Sequence, residues 1–347
     1  MGSMRHFNFI RNPSAKDIGC NVEQFLHFLG GPACLFLEGH DTSRTRAFVS
    51  LLHGNEPSGA IALHRWLVSQ QSPAINIVCI VASVDAALTT PVFSHRMLPG
   101  MRDLNRCFRQ PFDGSQGKLA EEILEILHLH KPEAVIDMHN TSGSGPPFGV
   151  CTHMDRQHDA LVSIFTQRLI VSNLNLGALM DISEHSFPTV TVEVGGRQDE
   201  EAHALAYEGL CRYFMAETVL AQGETDWGLE LLCDPIRLEL NEGVSLTYGE
   251  QASERHDITL CSDIEHHNFG SVSADTQLGW TKGPEQALFK ALDAGGSCAL
   301  HKLVRVEQGQ LYAAQALKLF MITNNAAIAQ SDCLFYAVAN DGSTICS

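Results

Sequence analysis

The chain has 347 residues, 44% of them hydrophobic and 18% charged, with a formal net charge of −17. That length exceeds one minimal domain, and the apolar content argues against extensive disorder. The acidic balance excludes a broad polyphosphate-binding surface, because nucleic-acid partners require basic patches; it leaves room for an arginine-lined pocket.

Residues 34–39 and 46–52 read as neighbouring strands. Residues 58–69 carry Leu63, Trp66 and Leu67 at helical spacing, with Pro57 suited to the first turn. Residues 75–81 are apolar almost without interruption, the pattern of a strand buried on both faces. Residues 119–128 place Ile123, Leu124 and Leu127 on one helical face and lead into a strand ending at His139. A further strand is expected over 189–194 and an amphipathic helix over 201–220. Strands alternating with helices predict an α/β fold with a doubly wound mixed, mainly parallel sheet. Beyond about residue 223 the texture changes to short alternating segments at 236–240, 244–247, 317–322 and 333–338. The expected organisation is a larger α/β domain over residues 1–222 and a smaller β-rich C-terminal domain over 223–347.

The eleven cysteines are irregularly spaced and include no CxxC pair. They read as reduced thiols rather than a disulfide framework. No apolar run approaches the ~18 residues of a membrane span, and the N-terminus lacks a secretory layout. The expected location is cytoplasmic.

Two strings carry the chemistry. His53-Gly54-Asn55-Glu56 and Asp137-Met138-His139 each close an apolar run, and strand ends in an open α/β sheet face the ligand crevice. Two imidazoles and one carboxylate form the set that holds a catalytic zinc with its fourth position open. A lone H-x-x-E is weak, and a loop hydrogen bond between His53 and Glu56 is its bland rival. A third group from a separate strand shifts the balance to metal. Asp137 shares a strand face with His139; it either fixes the tautomer of that histidine or caps the following turn.

Glu193 is an acid inside an apolar strand, where an unpaired carboxylate is costly. It needs a partner, as in a salt bridge, or a task, and the task is general base. Asp103-Leu104-Asn105-Arg106 sets an amide beside a guanidinium, suited to gripping a substrate carboxylate. Arg96 and Arg102 lie just upstream, and either is placed to steady an oxyanion. The adjacent His266-His267 would diverge on a strand. Gly143-Ser144-Gly145 lacks a nucleophile frame, and no glycine pattern suits a nucleotide.

In order and spacing, His53-Gly54-Asn55-Glu56, Asp103-Leu104-Asn105-Arg106, Asp137-Met138-His139-Asn140-Thr141 and Val192-Glu193-Val194-Gly195 resemble the aspartoacylase/succinylglutamate desuccinylase family, a branch of the zinc carboxypeptidase-like fold. The resemblance spans roughly residues 33–215, with a looser echo in the β-rich tail. It implies that residues 1–222 are a zinc carboxypeptidase-like catalytic domain. It also implies one Zn2+ per chain on His53, Glu56 and His139, with Glu193 as base and Asn105 and Arg106 binding substrate. Asn140 joins the expected substrate contacts. The implied activity is hydrolysis of the amide bond of a small N-acyl amino acid or related carboxylate-bearing compound. The expected partner is that small molecule, with no nucleic acid and no membrane; a homo-oligomer is left open.

Two departures bear on the substrate. Aspartoacylases carry a second carboxylate-gripping arginine shortly before the catalytic glutamate, and residues 181–187 contain none. Residues 324–328 hold no counterpart of the tyrosine that the C-terminal domain supplies. N-acetylaspartate is accordingly a poor expectation. The alternatives are a metallocarboxypeptidase acting on peptide C-termini and a non-catalytic small-acid-binding protein.

Overall fold

The computed structural model describes residues 6–141, 143–172, 176–221, 223, 226–293, 295–331 and 333–340. The chain divides into two compact units. The first comprises residues 1–140, 147–169 and 174–230, and the second 141–146, 170–173 and 231–347.

The large sheet has nine strands: β1 (Asn8–Arg11), β2 (Ala33–Leu37), β3 (Asp41–Ser50), β4 (Ile75–Val81), β5 (Val135–Thr141), β6 (Phe148–Cys151), β7 (Arg168–Val171), β8 (Thr189–Gly196) and β9 (Glu230–Cys233). Their order is β1-β2-β4-β3-β5-β8-β6-β7-β9. β3 runs parallel to both β4 and β5, whereas β2 is antiparallel to β4 and β6 to β8. The sheet is mixed, as the alternation of elements predicts. Every residue of β4 and of β5 is buried, which is why β4 reads as a continuous apolar run.

β2 and β3 are not neighbours, contrary to the sequence reading, because β4 lies between them. The connection explains the detour. At Gly39 the chain meets the start of β4 so closely that a Cβ would stand 2.1 Å from the Ile75 carbonyl carbon. The His40 and Asp41 amides then donate to the Pro73 and Ala74 carbonyls on the way into β3. Only glycine fits such a crossing.

The helices of this unit are α1 (Val22–Leu29), α2 (Ser58–Ser69), α3 (Val84–Ala87), α4 (Gly114–His130), α5 (Arg156–Ser163) and α6 (Glu200–Met215). α6 stops five residues short of the expected end. The fully buried Arg46 guanidinium donates to the carbonyls of Tyr213, Ala216 and Glu217. Those carbonyls are satisfied from β3 rather than by another helical turn. On one side of the sheet, Ala47, Val49, Val78, Ile80 and Val135 pack with Leu119, Ile123 and Leu127 of α4.

The second unit holds two five-stranded sheets. One orders Gly270–Val272, Leu317–Phe320, Phe335–Ala339, Ile236–Leu240 and Phe289–Lys290; the other orders Leu246–Gly249, Ile258–Cys261, Gln277–Thr281, Gln310–Ala313 and Val304–Glu307. Leu238, Ile258, Leu260, Leu278, Leu311 and Phe335 belong to their common core. Nine cysteines among the described residues are free, while Cys233 is disulfide-bonded. The expectation of reduced thiols therefore fails at Cys233, since spacing alone says nothing about which sulfurs meet in space. Among the described residues no helix is long and apolar enough to cross a membrane.

Candidate metal centre

The first motif follows β3 directly. Leu51 takes the left-handed conformation at φ 53° and turns the chain out of the strand. Gly54 permits a close approach of two backbones. A Cβ there would lie 2.7 Å from Ala86 Cβ and from the Ala87 amide nitrogen, so α3 abuts bare backbone. The Gly54 amide is tied to the Arg96 carbonyl at 2.8 Å, and α2 begins two residues after Glu56. The loop is thereby braced on both sides. His139 comes from β5, which pairs with β3 in parallel register.

His53, Glu56 and His139 are buried and meet. Glu56 Oε1 lies 2.8 Å from His53 Nδ1, and Glu56 Oε2 lies 2.7 Å from His139 Nδ1. The outward nitrogens are also held, with His53 Nε2 at 2.9 Å from Asp103 Oδ1 and His139 Nε2 at 2.9 Å from Asp137 Oδ2. One ligand atom from each of the three residues lies within 4.8 Å of the other two. Carboxylates on both outer nitrogens favour the tautomer with Nε2–H, which leaves each Nδ1 lone pair facing Glu56. Two imidazole nitrogens and a carboxylate fit a borderline divalent ion, zinc above all.

The electrostatics favour a cation at this point. Burial acts to raise Glu56, yet the charges and hydrogen bonds of His53 and His139 hold its carboxyl well below the usual range. Burial acts to lower His139, but Asp137 and Glu56 hold it well above an ordinary imidazole. Asp103, raised by burial, is nonetheless pulled far down by His53, Arg96 and Arg106. Negative charge is thus retained on Glu56 and Asp103 beside the rings, and a cation entering here would compete with any proton held on the inward nitrogen of His139.

Glu193 on β8 behaves differently. Burial, reinforced by the Glu56 charge, pushes its carboxyl up to about 7 against the counteracting pull of His139, His53 and Arg96. The residue keeps partial exposure, but Oε2 is sealed from solvent and has no hydrogen-bond partner. Of the two candidate arginines, Arg96 lies at the cluster. It donates to Asp103 Oδ2 at 2.9 and 3.3 Å and to Glu56 Oε1 at 3.2 Å. Arg102 instead donates to the Asp113 carbonyl at 3.3 Å and is exposed.

Asn105 is buried and its Oδ1 accepts from the Leu179 amide at 3.0 Å. Arg106 is half-buried and donates to the Asn105 carbonyl at 2.8 Å. Asn140 does not offer a free amide to a substrate. Its Oδ1 accepts from the Ser58 amide, and its Nδ2 donates to Ser58 Oγ and the Gly195 carbonyl, at 2.8–3.0 Å. That ties β5, α2 and β8 together, with His203 Nδ1 2.7 Å from Ser58 Oγ. Sequence reasoning missed the roles of Asp103, Ser58 and His203. Asp103 opens the Asp103-Leu104-Asn105-Arg106 string, and its acidity is the one signal the sequence offers.

The family model of the succinylglutamate desuccinylase/aspartoacylase catalytic domain matches residues 45–209. Among solved structures, a succinylglutamate desuccinylase from Silicibacter sp. TM1040 is 17% identical, covering 83% of this chain and 81% of its own, with a TM-score of 0.51. Murine aminoacylase 3 is 17% identical, covering 86% and 96% respectively, with a TM-score of 0.52. At such identity the likeness shows the fold. No curated protein matches the chain by sequence.

Proposed function

For a chain whose residues 45–209 carry a catalytic domain of the succinylglutamate desuccinylase/aspartoacylase family, we propose zinc-dependent hydrolysis of the amide bond in a small N-acyl amino acid or a related carboxylate-bearing compound. The observation that carries this reading is the placement of Glu56 between two Nδ1 atoms whose outer nitrogens are both braced by aspartates.

His53, Glu56 and His139 would hold the zinc ion, which would supply Lewis acidity toward the acyl carbonyl and toward water near neutral pH. Glu193 accepts the proton of the attacking water and hands it to the amide nitrogen as the C–N bond breaks. Its unpartnered Oε2 and a pKa raised to about 7 support that role. Arg96 sets a guanidinium at the edge of the ligand cluster, where it steadies negative charge growing on the acyl oxygen. Arg106 grips the substrate carboxylate. Asn105 and Asn140 act as positioning residues, the first through the Leu179 amide and the second through Ser58 and Gly195. Asp137 and Asp103 hold the two rings in the ligating tautomer.

Elemental analysis of the zinc-loaded full chain, followed by N-acyl amino acids assayed beside short peptides, tests this proposal. Release of free amino acid from an N-acyl compound is expected. Release of C-terminal residues from peptides alone would favour a carboxypeptidase. Tight capture of an acid without product would favour a binding protein, and a full-length chain that retains no zinc after incubation with Zn2+ and desalting refutes the reading.

A further inference from the structure

A second group of metal-ligating side chains gathers just past the end of β6, where α5 begins. His153, Asp155 and His158 come from six consecutive residues, and one ligand atom from each lies within 4.8 Å of the others. His153 Nε2 is 3.2 Å from Asp155 Oδ2, and His158 Nδ1 is 2.8 Å from Asp155 Oδ1. The two rings stand edge to face with centroids 4.6 Å apart. Donors on a tetrahedral zinc with bonds of ~2.0–2.1 Å are roughly 3.3 Å apart, so little movement is needed to admit an ion.

The carboxylate and one ring are already fixed. Asp155 Oδ1 caps α5, accepting from the Gln157 amide at 2.7 Å and the His158 amide at 3.0 Å. Thr152 Oγ1 lies 3.1 Å from His153 Nδ1 and leaves Nε2 toward Asp155. Helix capping accounts for Asp155. It does not account for His158, which is 1% exposed and makes no hydrogen bond through either ring nitrogen. Nδ1 approaches Asp155 closely, but off the line that a hydrogen bond requires. On the same helix Asp159 Oδ1 is also buried without a partner. Leaving polar atoms buried and unpaired is destabilising, and a cation on the lone pair of one His158 nitrogen would offset the part of that penalty that falls on the liganding atom.

We propose that His153, Asp155 and His158 form a second binding site for a divalent transition metal, zinc foremost, which clamps α5 to the end of β6. The site is separate from the tripod. β6 is antiparallel to β8 with Phe148 opposite Glu193, and the cluster follows the other end of β6, after Cys151. Half-exposed His153 and Asp155 leave the ion a water-filled position, as expected for a clamp that exchanges with solvent metal.

The test is Zn2+ titration of chelator-stripped full-length protein against a chromophoric indicator, for wild type, His153→Ala and His53→Ala. Wild type is expected to take two ions per chain and each variant one. Zinc should raise the thermal midpoint of wild type by more than that of His153→Ala. His153 is half-exposed, so its removal leaves the fold intact, which circular dichroism checks. His158→Leu, filling the same buried space without a ligand, should also lose one ion. If His153→Ala and His158→Leu bind as many ions as wild type, or wild type binds none, the proposal is overturned. A single wild-type ion lost in His153→Ala but kept in His53→Ala upholds this site and refutes the tripod instead.

Discussion

Replacing Glu193 by glutamine removes a proton acceptor and a buried charge, and the two losses have opposite consequences. A carboxyl raised from 4.5 to about 7 disfavours its ionised form in the folded protein by about 3 kcal/mol. In the metal-free protein the folded state holds this proton more tightly than the unfolded state between those two values. Its contribution to stability is therefore intact below the lower one and lost as pH rises through about 7. Glutamine is neutral throughout. Metal-free Glu193→Gln is expected to exceed wild type in stability by about 2–3 kcal/mol in mildly alkaline buffer. The two should converge in acid, where both side chains are uncharged. Urea midpoints of the metal-free proteins at both ends of the pH range read this directly. Turnover should fall roughly 100- to 10,000-fold with zinc content unchanged. Equal alkaline midpoints would mean that the carboxylate is not sealed and unpartnered. Turnover within a few-fold of wild type would remove Glu193 from the proton path.

Asp137→Asn and Asp103→Asn should each weaken zinc binding ~10- to 100-fold, measured by chelator competition, since an amide braces the ring nitrogen less strongly than a carboxylate does. The base must be ionised, so kcat/KM should rise with pH along its acidic limb. A bound dication stabilises the carboxylate further, and the midpoint should lie at or below about 7; a midpoint clearly above it contradicts the assignment. Arg96→Ala should lower kcat ~100- to 1,000-fold, whereas Arg102→Ala, which removes only a bond to the Asp113 carbonyl, should leave it within a few-fold. Gly54→Ala drives a methyl to 2.7 Å from the Ala87 amide nitrogen. It should destabilise the protein by ~1–3 kcal/mol and weaken zinc binding, as chemical denaturation and metal titration would show.

The candidate metal cluster is legible in the sequence because a ligand set constrains residue type at short spacing and at strand ends. His53 and Glu56 are three residues apart, His139 stands two after Asp137, and the structure brings them within one hydrogen bond of each other. The partner of His53 was not legible. Asp103 lies fifty residues away, and no periodicity marks which acid will meet which ring. The same limit applies to the fold. Apolar runs located β2 and β3, but their separation by β4 depends on a glycine crossing against Ile75. α6 carries an amphipathic pattern past Met215, yet it ends there because an arginine 170 positions earlier captures the Ala216 carbonyl. In both fold cases the local signal sets what a segment can form, and a distant part of the chain decides where it lies or where it stops. His153 and His158 are not legible as ligands for a related reason. Two histidines and an aspartate within six residues resemble a helix cap with solvated neighbours, and only burial of the His158 ring without a hydrogen bond separates that reading from a metal clamp.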